Sequence, residues 1–170
     1  MTEPEVWLRG PLPDYIDELQ PVAHSLLQVR EELTHTRSLP ADRLWTRPGG
    51  AASIGFHLKH LAGSLDRLLT YASRKPLSSA QHEDLAREAR DTGESVDTLV
   101  TLAEAAIDRA LTHVRTTPLC TLDESREVGR ERLPSTVLGL LFHAAEHAQR
   151  HSAQIITTMK IVGPGDSAIG

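Results

Sequence analysis

The sequence predicts an all-α protein in which four long helices form a bundle. Apolar residues recur at spacings of three and four in four separate stretches of the 170-residue chain, which is the period of an amphipathic helix. Aromatic residues make up only 4% of the chain, and no stretch has a convincing strand pattern. We expect one domain over residues 1–162, followed by a flexible C-terminal tail over residues 163–170.

The first long helix is expected over residues 14–36. Its apolar positions at helical spacing are Ile16, Leu19, Ala23, Leu26 and Leu33. Pro21 interrupts this stretch, so it either kinks the helix or occupies the first turn of a helix that begins beside it. Residues 1–13 contain three prolines and one glycine, which predicts an extended arm.

The second long helix is expected to begin at Ser53, after a loop over residues 38–50. Its apolar stripe alternates steps of four and three as far as residue 72. Ser78 and Gln81 have the spacing of a capping box, in which each side chain bonds the backbone of the other residue. This spacing predicts a short extra helix over residues 79–90.

The third long helix is expected over residues 95–114, where nine apolar residues share one side. Residues 116–133 are polar and alternate in charge, which predicts a long structured loop or small hairpin before the last helix. Pro134 and Ser135 are then expected to open that last helix, which should run to about residue 162.

Composition excludes several classes of protein. The formal net charge of −5 and the scattered basic residues argue against nucleic acid as a partner. Cys120 is the only cysteine, so an internal disulfide is excluded and the chain fits the reducing cytoplasm. No apolar run approaches the roughly 20 residues that cross a bilayer, and the acidic N-terminus is unlike a signal peptide. We therefore expect a cytoplasmic protein that does not bind membranes.

Five histidines lie on two of the predicted helices. His143, His147 and His151 are spaced by four on the last helix, and His57 and His60 lie on the second. Residues four apart on an α-helix lie along one stripe, one turn above another. Two helices that both offer imidazoles to a shared interior are typical of a metal site inside a bundle.

Helix geometry limits which of these histidines can bind one ion. His143 and His151 are eight residues apart, which is roughly 12 Å along the axis, whereas a metal lies only about 2 Å from a ligating nitrogen. A helical wheel favours His147 with His151, because both lie nearer the apolar stripe. On the second helix the wheel places His57 nearer the core than His60. The alternative to a metal site is a polar, histidine-rich contact between the two helices that binds no metal.

Two segments, SIGFHLKHLAGSLDRLLTY (53–71) and LPSTVLGLLFHAAEHAQRHSAQI (133–155), resemble the DinB-like family of the DinB/YfiT-like superfamily. The resemblance extends over residues 7–162. It implies a four-helix bundle, often dimeric, with a divalent metal, typically nickel or zinc, near one end. Matched onto the motifs, it implies that the metal ligands are His60, His147 and His151. The family pattern thus selects His60 where the wheel favours His57.

Some members of this superfamily resemble thiol-dependent transferases or isomerases. The resemblance therefore implies a reaction of a small electrophile, either transfer of a low-molecular-weight thiol to it or its thiol-dependent isomerisation, with the thiol as co-substrate. Candidates for assisting residues are His57, His143, Arg67, Gln154 and Ser64. Arg67 is expected either to meet an anionic substrate or to form a surface ion pair.

Two other functions are consistent with the same sequence. One is a non-catalytic dimeric stress-response protein, whose metal site is structural or vestigial. The other is a metal-dependent hydrolase, in which hydroxide replaces the thiolate as nucleophile.

Overall fold

The computed structural model describes residues 3–163. Within that range the chain forms five α-helices and one antiparallel pair of strands. The helices are α1 (Gln20–Thr34), α2 (Ile54–Ala72), α3 (Ser79–Arg87), α4 (Val96–Thr116) and α5 (Val137–Val162). The strands are β1 (Ser125–Val128) and β2 (Leu133–Thr136). The protein is therefore predominantly helical, as the apolar periodicity predicts.

The four long helices share one hydrophobic core. Helix α2 packs against α4 and α5, and α1 packs against the same two helices. The largest fully buried side chains come from all four, and they include Leu26, Leu58, Leu61, Leu65, Ile107, Leu141 and Ile155. Burying these apolar faces against one another supplies most of the stability of such helices. The packing of α2 on α5 brings their histidines together.

Helix α1 is shorter than the sequence predicts. It begins at Gln20, so Pro21 occupies its first turn, where a missing backbone N–H costs no helical hydrogen bond. The predicted extended arm is partly folded, because Val6 is buried in a short 3-10 turn. Its backbone N–H donates to Gln28 Oε1 at 2.9 Å, which ties the arm to α1.

The start of α2 is fixed by a cap and by a close aromatic contact. Ser53 Oγ accepts a hydrogen bond from the Phe56 N–H at 3.2 Å, which confirms the predicted N-terminus. Trp45, in the preceding loop, packs directly on Gly55. A Cβ atom at Gly55 would lie 2.8 Å from the Trp45 ring, so only glycine admits this contact. The loop is thereby held against the turn of α2 that precedes its histidines.

The predicted capping box at the start of α3 is confirmed. Ser78 Oγ accepts from the Gln81 N–H, and Gln81 Oε1 accepts from the Ser78 N–H at 2.9 Å. The helix ends at Arg87, three residues earlier than expected. All of its residues remain exposed or half-buried, so α3 lies on the surface of the protein.

The segment before α5 is a hairpin, and its second strand corrects one prediction. Pro134 and Ser135 do not open α5 but lie in β2, where Pro134 pairs with Glu127 of β1. A proline fits here because each strand of a two-stranded sheet has an unpaired edge that needs no N–H donor. Helix α5 begins instead at Val137, and Thr136 Oγ1 caps it by accepting from the Gly139 N–H at 3.0 Å.

Helix α5 ends at Val162, which agrees with the prediction. The expected flexible tail, residues 163–170, lies outside the described residues except for Gly163. Among residues 3–163, none of the helices combines the length and the apolar character that crossing a membrane requires.

Candidate metal centre

Three imidazoles converge where α2 packs on α5. One ring nitrogen from each of His60, His147 and His151 lies within 4.8 Å of the others, and we call these three residues the histidine cluster. His147 Nε2 lies 3.0 Å from His60 Nε2 and 3.2 Å from His151 Nε2. Two nitrogens bound about 2.1 Å from one ion are about 3.0 Å apart at a right angle and about 3.4 Å apart at a tetrahedral angle. The spacing therefore fits a shared metal ion.

A hydrogen bond on the side of the His60 ring that faces away from the cluster sets the tautomer that a metal requires. His60 Nδ1 lies 2.6 Å from Glu88 Oε2, and a carboxylate oxygen accepts, so His60 carries its proton on Nδ1. Its Nε2 then presents a lone pair to the cluster. His151 Nδ1 lies 2.9 Å from His57 Nδ1, and if His151 donates in this contact, its Nε2 is free as well.

Burial keeps the rings of α5 in the form that binds metals. Desolvation, reinforced by the charges of neighbouring imidazoles, lowers the pKa of His147 to about 4 and the pKa of His151 to about 3. Both side chains are therefore neutral near pH 7, so no proton has to be displaced from them before an ion binds. The histidine cluster could hold a metal ion.

The two histidines of α2 take different positions. His57 is buried, with 5% of its surface exposed, so the wheel is correct that it lies nearer the core than His60. It lies outside the histidine cluster and contacts it only through His151. Desolvation lowers the pKa of His57 as well, which keeps its ring neutral beside His151. His57 therefore orients His151.

The other candidates for assisting residues are scattered around the cluster. His143 is exposed on α5, and its Nδ1 lies 3.3 Å from Glu146 Oε2. Ser64 is buried and donates to the Leu61 carbonyl oxygen of its own helix at 3.1 Å, so its hydroxyl is turned away from the cluster. Gln154 is exposed beside His57, on the wall of a surface groove.

Arg67 forms an ion pair that is buried, which corrects the expectation of a surface ion pair, whereas its expected contact with an anionic substrate stays a prediction. Its side chain is buried, and Nη1 donates to Glu88 Oε1 at 2.7 Å. Glu88, which the sequence analysis does not single out, therefore binds Arg67 with one oxygen and His60 with the other. The seven-residue spacing of His60 and Arg67 is the only hint of a shared partner, because it places both on one side of α2.

A groove of about 630 Å³ lies beside the cluster. His57 and Arg150 form part of its wall, and Ala51, Ala153 and Ile161 are among its apolar residues. None of the three cluster histidines lines the groove, but His57 does, and its Nδ1 lies 2.9 Å from His151 Nδ1. The volume is within the range of pockets that bind small molecules.

Two further features surround the cluster. The Phe56 ring stacks on His60 with centroids 5.2 Å apart, which shields one face of that imidazole from water. Within the described part of the chain, His147 Nδ1 is buried without a hydrogen-bond partner. His147 is thus held by packing and by the cluster itself, and a bound ion would fix its ring further.

Comparison with known proteins identifies the family of the chain. The family model of the DinB superfamily matches residues 23–155. A crystal structure of a conserved protein from Enterococcus faecalis superposes with a TM-score of 0.59 at 19% identity, covering 85% of this chain and 96% of that one. This likeness concerns the fold alone. None of the curated proteins matches the chain. Because the family match extends over most of its length and includes all three histidines of the cluster, the chain belongs to the DinB superfamily.

Proposed function

We propose that this protein is a divalent-metal-dependent enzyme whose ion, nickel or zinc, is bound by His60, His147 and His151. The observation that carries the proposal is that His147 Nε2 lies at ligand spacing from His60 Nε2 and from His151 Nε2, while one ring nitrogen of each of the three residues lies within 4.8 Å of the others. We further propose that residues 1–162 act as one four-helix-bundle domain, in the cytoplasm and as a homodimer. Light scattering at several concentrations tests the dimer, and a stable monomer would refute it.

The reaction we propose is transfer of a low-molecular-weight thiol to a small electrophile, or thiol-dependent isomerisation. A divalent ion held by His60, His147 and His151 would lower the pKa of a thiol bound to it and so supply a thiolate, whose proton would pass to the solvent. In the transfer, the sulfur forms a bond to an electrophilic carbon, and the leaving group departs with the electron pair of the bond that breaks.

The residues of the chain would bind and orient the reactants. The groove beside His57 would hold the electrophile, because its wall combines apolar residues with a few polar side chains, as pockets for small molecules do. His57 would keep the His151 ring in place through the 2.9 Å contact between their Nδ1 atoms. Arg150 and Gln154 lie on the same wall and would contact polar groups of a substrate.

The metal content of untagged protein tests the first part of the proposal. Elemental analysis should find about one nickel or zinc ion per chain, since one cluster of three ligands binds one ion. His60→Ala and His147→Ala should each lose it, because two remaining imidazoles bind far more weakly. His82→Ala, which removes an exposed histidine of α3, is the matched control and should keep full occupancy. Full occupancy in both cluster variants would contradict the assignment.

A panel of bacterial thiols with a chromogenic electrophile tests the reaction. Metal-loaded protein should accelerate thiol addition, and His147→Ala should not. Turnover of ester or amide substrates without added thiol would instead indicate a hydrolase. A protein that binds its ion and is inactive with every thiol would indicate a structural metal in a non-catalytic protein.

A further inference from the structure

We propose that Glu88 is a positioning residue of this centre, which holds the His60 ring in the orientation and tautomer that bind the ion. This inference rests on the proposed metal site. It assigns a role to a residue at the end of α3, a surface helix that contributes no imidazole to the cluster. The carboxylate would act through His60 and would not contact the ion or the substrate.

The contacts of Glu88 are specific and buried. Only 4% of its surface is exposed, although it follows directly after a helix whose own residues all remain exposed or half-buried. One oxygen lies 2.6 Å from His60 Nδ1, and the other accepts from Arg67 Nη1 at 2.7 Å. A buried carboxylate is tolerated only when it is paired in this way. Arg67 thus neutralises Glu88 and keeps it directed at His60.

A glycine makes room for this arrangement. A Cβ atom at Gly63 would clash with Glu88 Oε1 and would lie 2.7 Å from Arg67 Nη1. Glycine in the middle of a helix is less favourable than alanine, because it loses more conformational freedom on folding. The space that the missing side chain leaves is filled by the carboxylate and the guanidinium, one turn from His60. Helix α2 therefore has a residue of low helix propensity at the position where the Glu88 carboxylate packs against it.

The hydrogen bond has a direct consequence for metal binding. Because Glu88 accepts the Nδ1–H of His60, the Nε2 of that ring carries the lone pair that lies 3.0 Å from His147 Nε2. A carboxylate behind a ligating histidine fixes its orientation and makes it a stronger donor, and losing such a partner typically weakens metal binding by roughly 10- to 100-fold.

The same contact connects α3 to the centre. Besides Glu88, α3 is attached to α2 through Gln81, whose Nε2 donates to Asp66 Oδ2 at 2.6 Å and to Thr70 Oγ1 at 2.8 Å. Glu88 thus connects the end of α3 to His60 of the proposed metal site, and Gln81 connects the beginning of α3 to α2. Coupling between two sites is reciprocal. An ion bound to His60 should therefore slow the opening of α3.

Cobalt(II) is the probe for the test, because its absorption spectrum reports the ligand geometry. Competition with a chelator should show that Glu88→Ala weakens cobalt binding by roughly 10- to 100-fold, and that Glu88→Gln, which retains an acceptor oxygen, weakens it less. Gly63→Ala keeps the carboxylate and displaces it, so it should shift the cobalt spectrum as well. Glu83→Ala, which removes an exposed carboxylate of α3, is the control and should match the wild type.

The outcomes separate this inference from the proposed function. Circular dichroism of the metal-free variants establishes whether they fold. If Glu88→Ala does not fold, Gly63→Ala provides the test instead, because alanine favours helix. If the wild type binds cobalt and all three variants bind it with unchanged affinity and spectrum, the role of Glu88 is wrong while the metal site stands. If the wild type binds no ion, the role of Glu88 and the proposed metal site are both wrong.

Cobalt should also slow hydrogen exchange in α3 of the wild type but not in α3 of Glu88→Ala. Equal slowing in the two proteins would contradict the coupling between α3 and the metal site.

Discussion

Burial sets the protonation state of the individual histidines of α5. His147 and His151 face α2 and stay neutral, since desolvation lowers their pKa values to about 4 and about 3. His143, one turn before His147, remains exposed and outside the cluster. A four-residue repeat on one helix therefore yields two residues suited to bind a metal and one surface residue.

These two pKa values predict how the stability of the metal-free protein depends on pH. In the unfolded chain both imidazoles take up protons near pH 6.5, whereas in the folded protein they do so only near pH 4 and pH 3. Protons therefore favour the unfolded chain, and the free energy of unfolding should fall as the pH drops below 6.5 towards 3. Urea denaturation in the presence of a chelator, between pH 7 and pH 5, measures this.

The control for this prediction separates the two imidazoles from other titrating groups. A double variant, His147→Gln with His151→Gln, should show a shallower pH dependence than the wild type, because it lacks the two displaced pKa values. His82→Gln changes an exposed histidine and should keep the wild-type dependence. Identical slopes in the wild type and the double variant would contradict the explanation.

Among the elements, α3 differs most from the rest in how it is held. The four long helices bury continuous apolar faces, whereas every residue of α3 is exposed or half-buried. Its capping box and the polar contacts of Gln81 and Glu88 take the place of a hydrophobic face. Elements held by few buried contacts open at lower free energy than the whole protein.

Removing the N-terminal cap of α3 should therefore lower the free energy of opening this helix without unfolding the four long helices. Ser78→Ala abolishes the hydrogen bond to the Gln81 N–H, and such losses cost about 1 kcal/mol. Hydrogen exchange in α3 should accelerate, while the urea midpoint of the whole protein changes little. Ser79→Ala, at the exposed first position of the same helix, is the control and should leave exchange in α3 unchanged. A large drop in the urea midpoint with unaltered hydrogen exchange in α3 would contradict this prediction.

In the whole molecule, the proposed ion joins two parts that are far apart in the chain. His60 and His147 are separated by 87 residues and lie on different helices. A ligand that needs both helices in place binds only the folded state, and so it stabilises the entire protein. The metal centre thus links the packing of α2 on α5 to the chemistry proposed for it.

Zinc should therefore raise the thermal stability of the wild type. At a free ion concentration of 100 times the dissociation constant, the gain is about 2.7 kcal/mol, which corresponds to several degrees in Tm. A chelator should reverse the gain, and His147→Ala should show none, whereas His143→Ala, which removes the exposed neighbour, should behave as the wild type. Calorimetry with and without zinc measures this, and an equal rise in His147→Ala would place the ion elsewhere.

Local signals in the sequence predicted much of this structure. Apolar periodicity placed the four long helices, and the capping residues Ser53 and Ser78 marked two helix starts. The last helix was placed too early, because Pro134 suits the first turn of a helix as well as the edge of a strand. Wheel geometry alone puts His57 nearer the core, and the structure confirms this. The wheel also favours His147 with His151 as metal ligands, which stays a prediction, although the structure brings both rings together with His60.

Taken by itself, the sequence determined the approximate positions of the four long helices and the side of the helix on which each histidine lies, because both depend on neighbours within one or two turns. It did not fix where α1 and α5 begin. The family motif in the sequence already selected His60 rather than His57. Only the tertiary structure decided that the His60 ring meets the His147 ring, and that Arg67 and Glu88 form a buried pair behind it. These contacts join residues 87 and 21 positions apart. They depend on how α2, α3 and α5 are rotated and shifted against one another, and the periodicity of one helix carries no information about that.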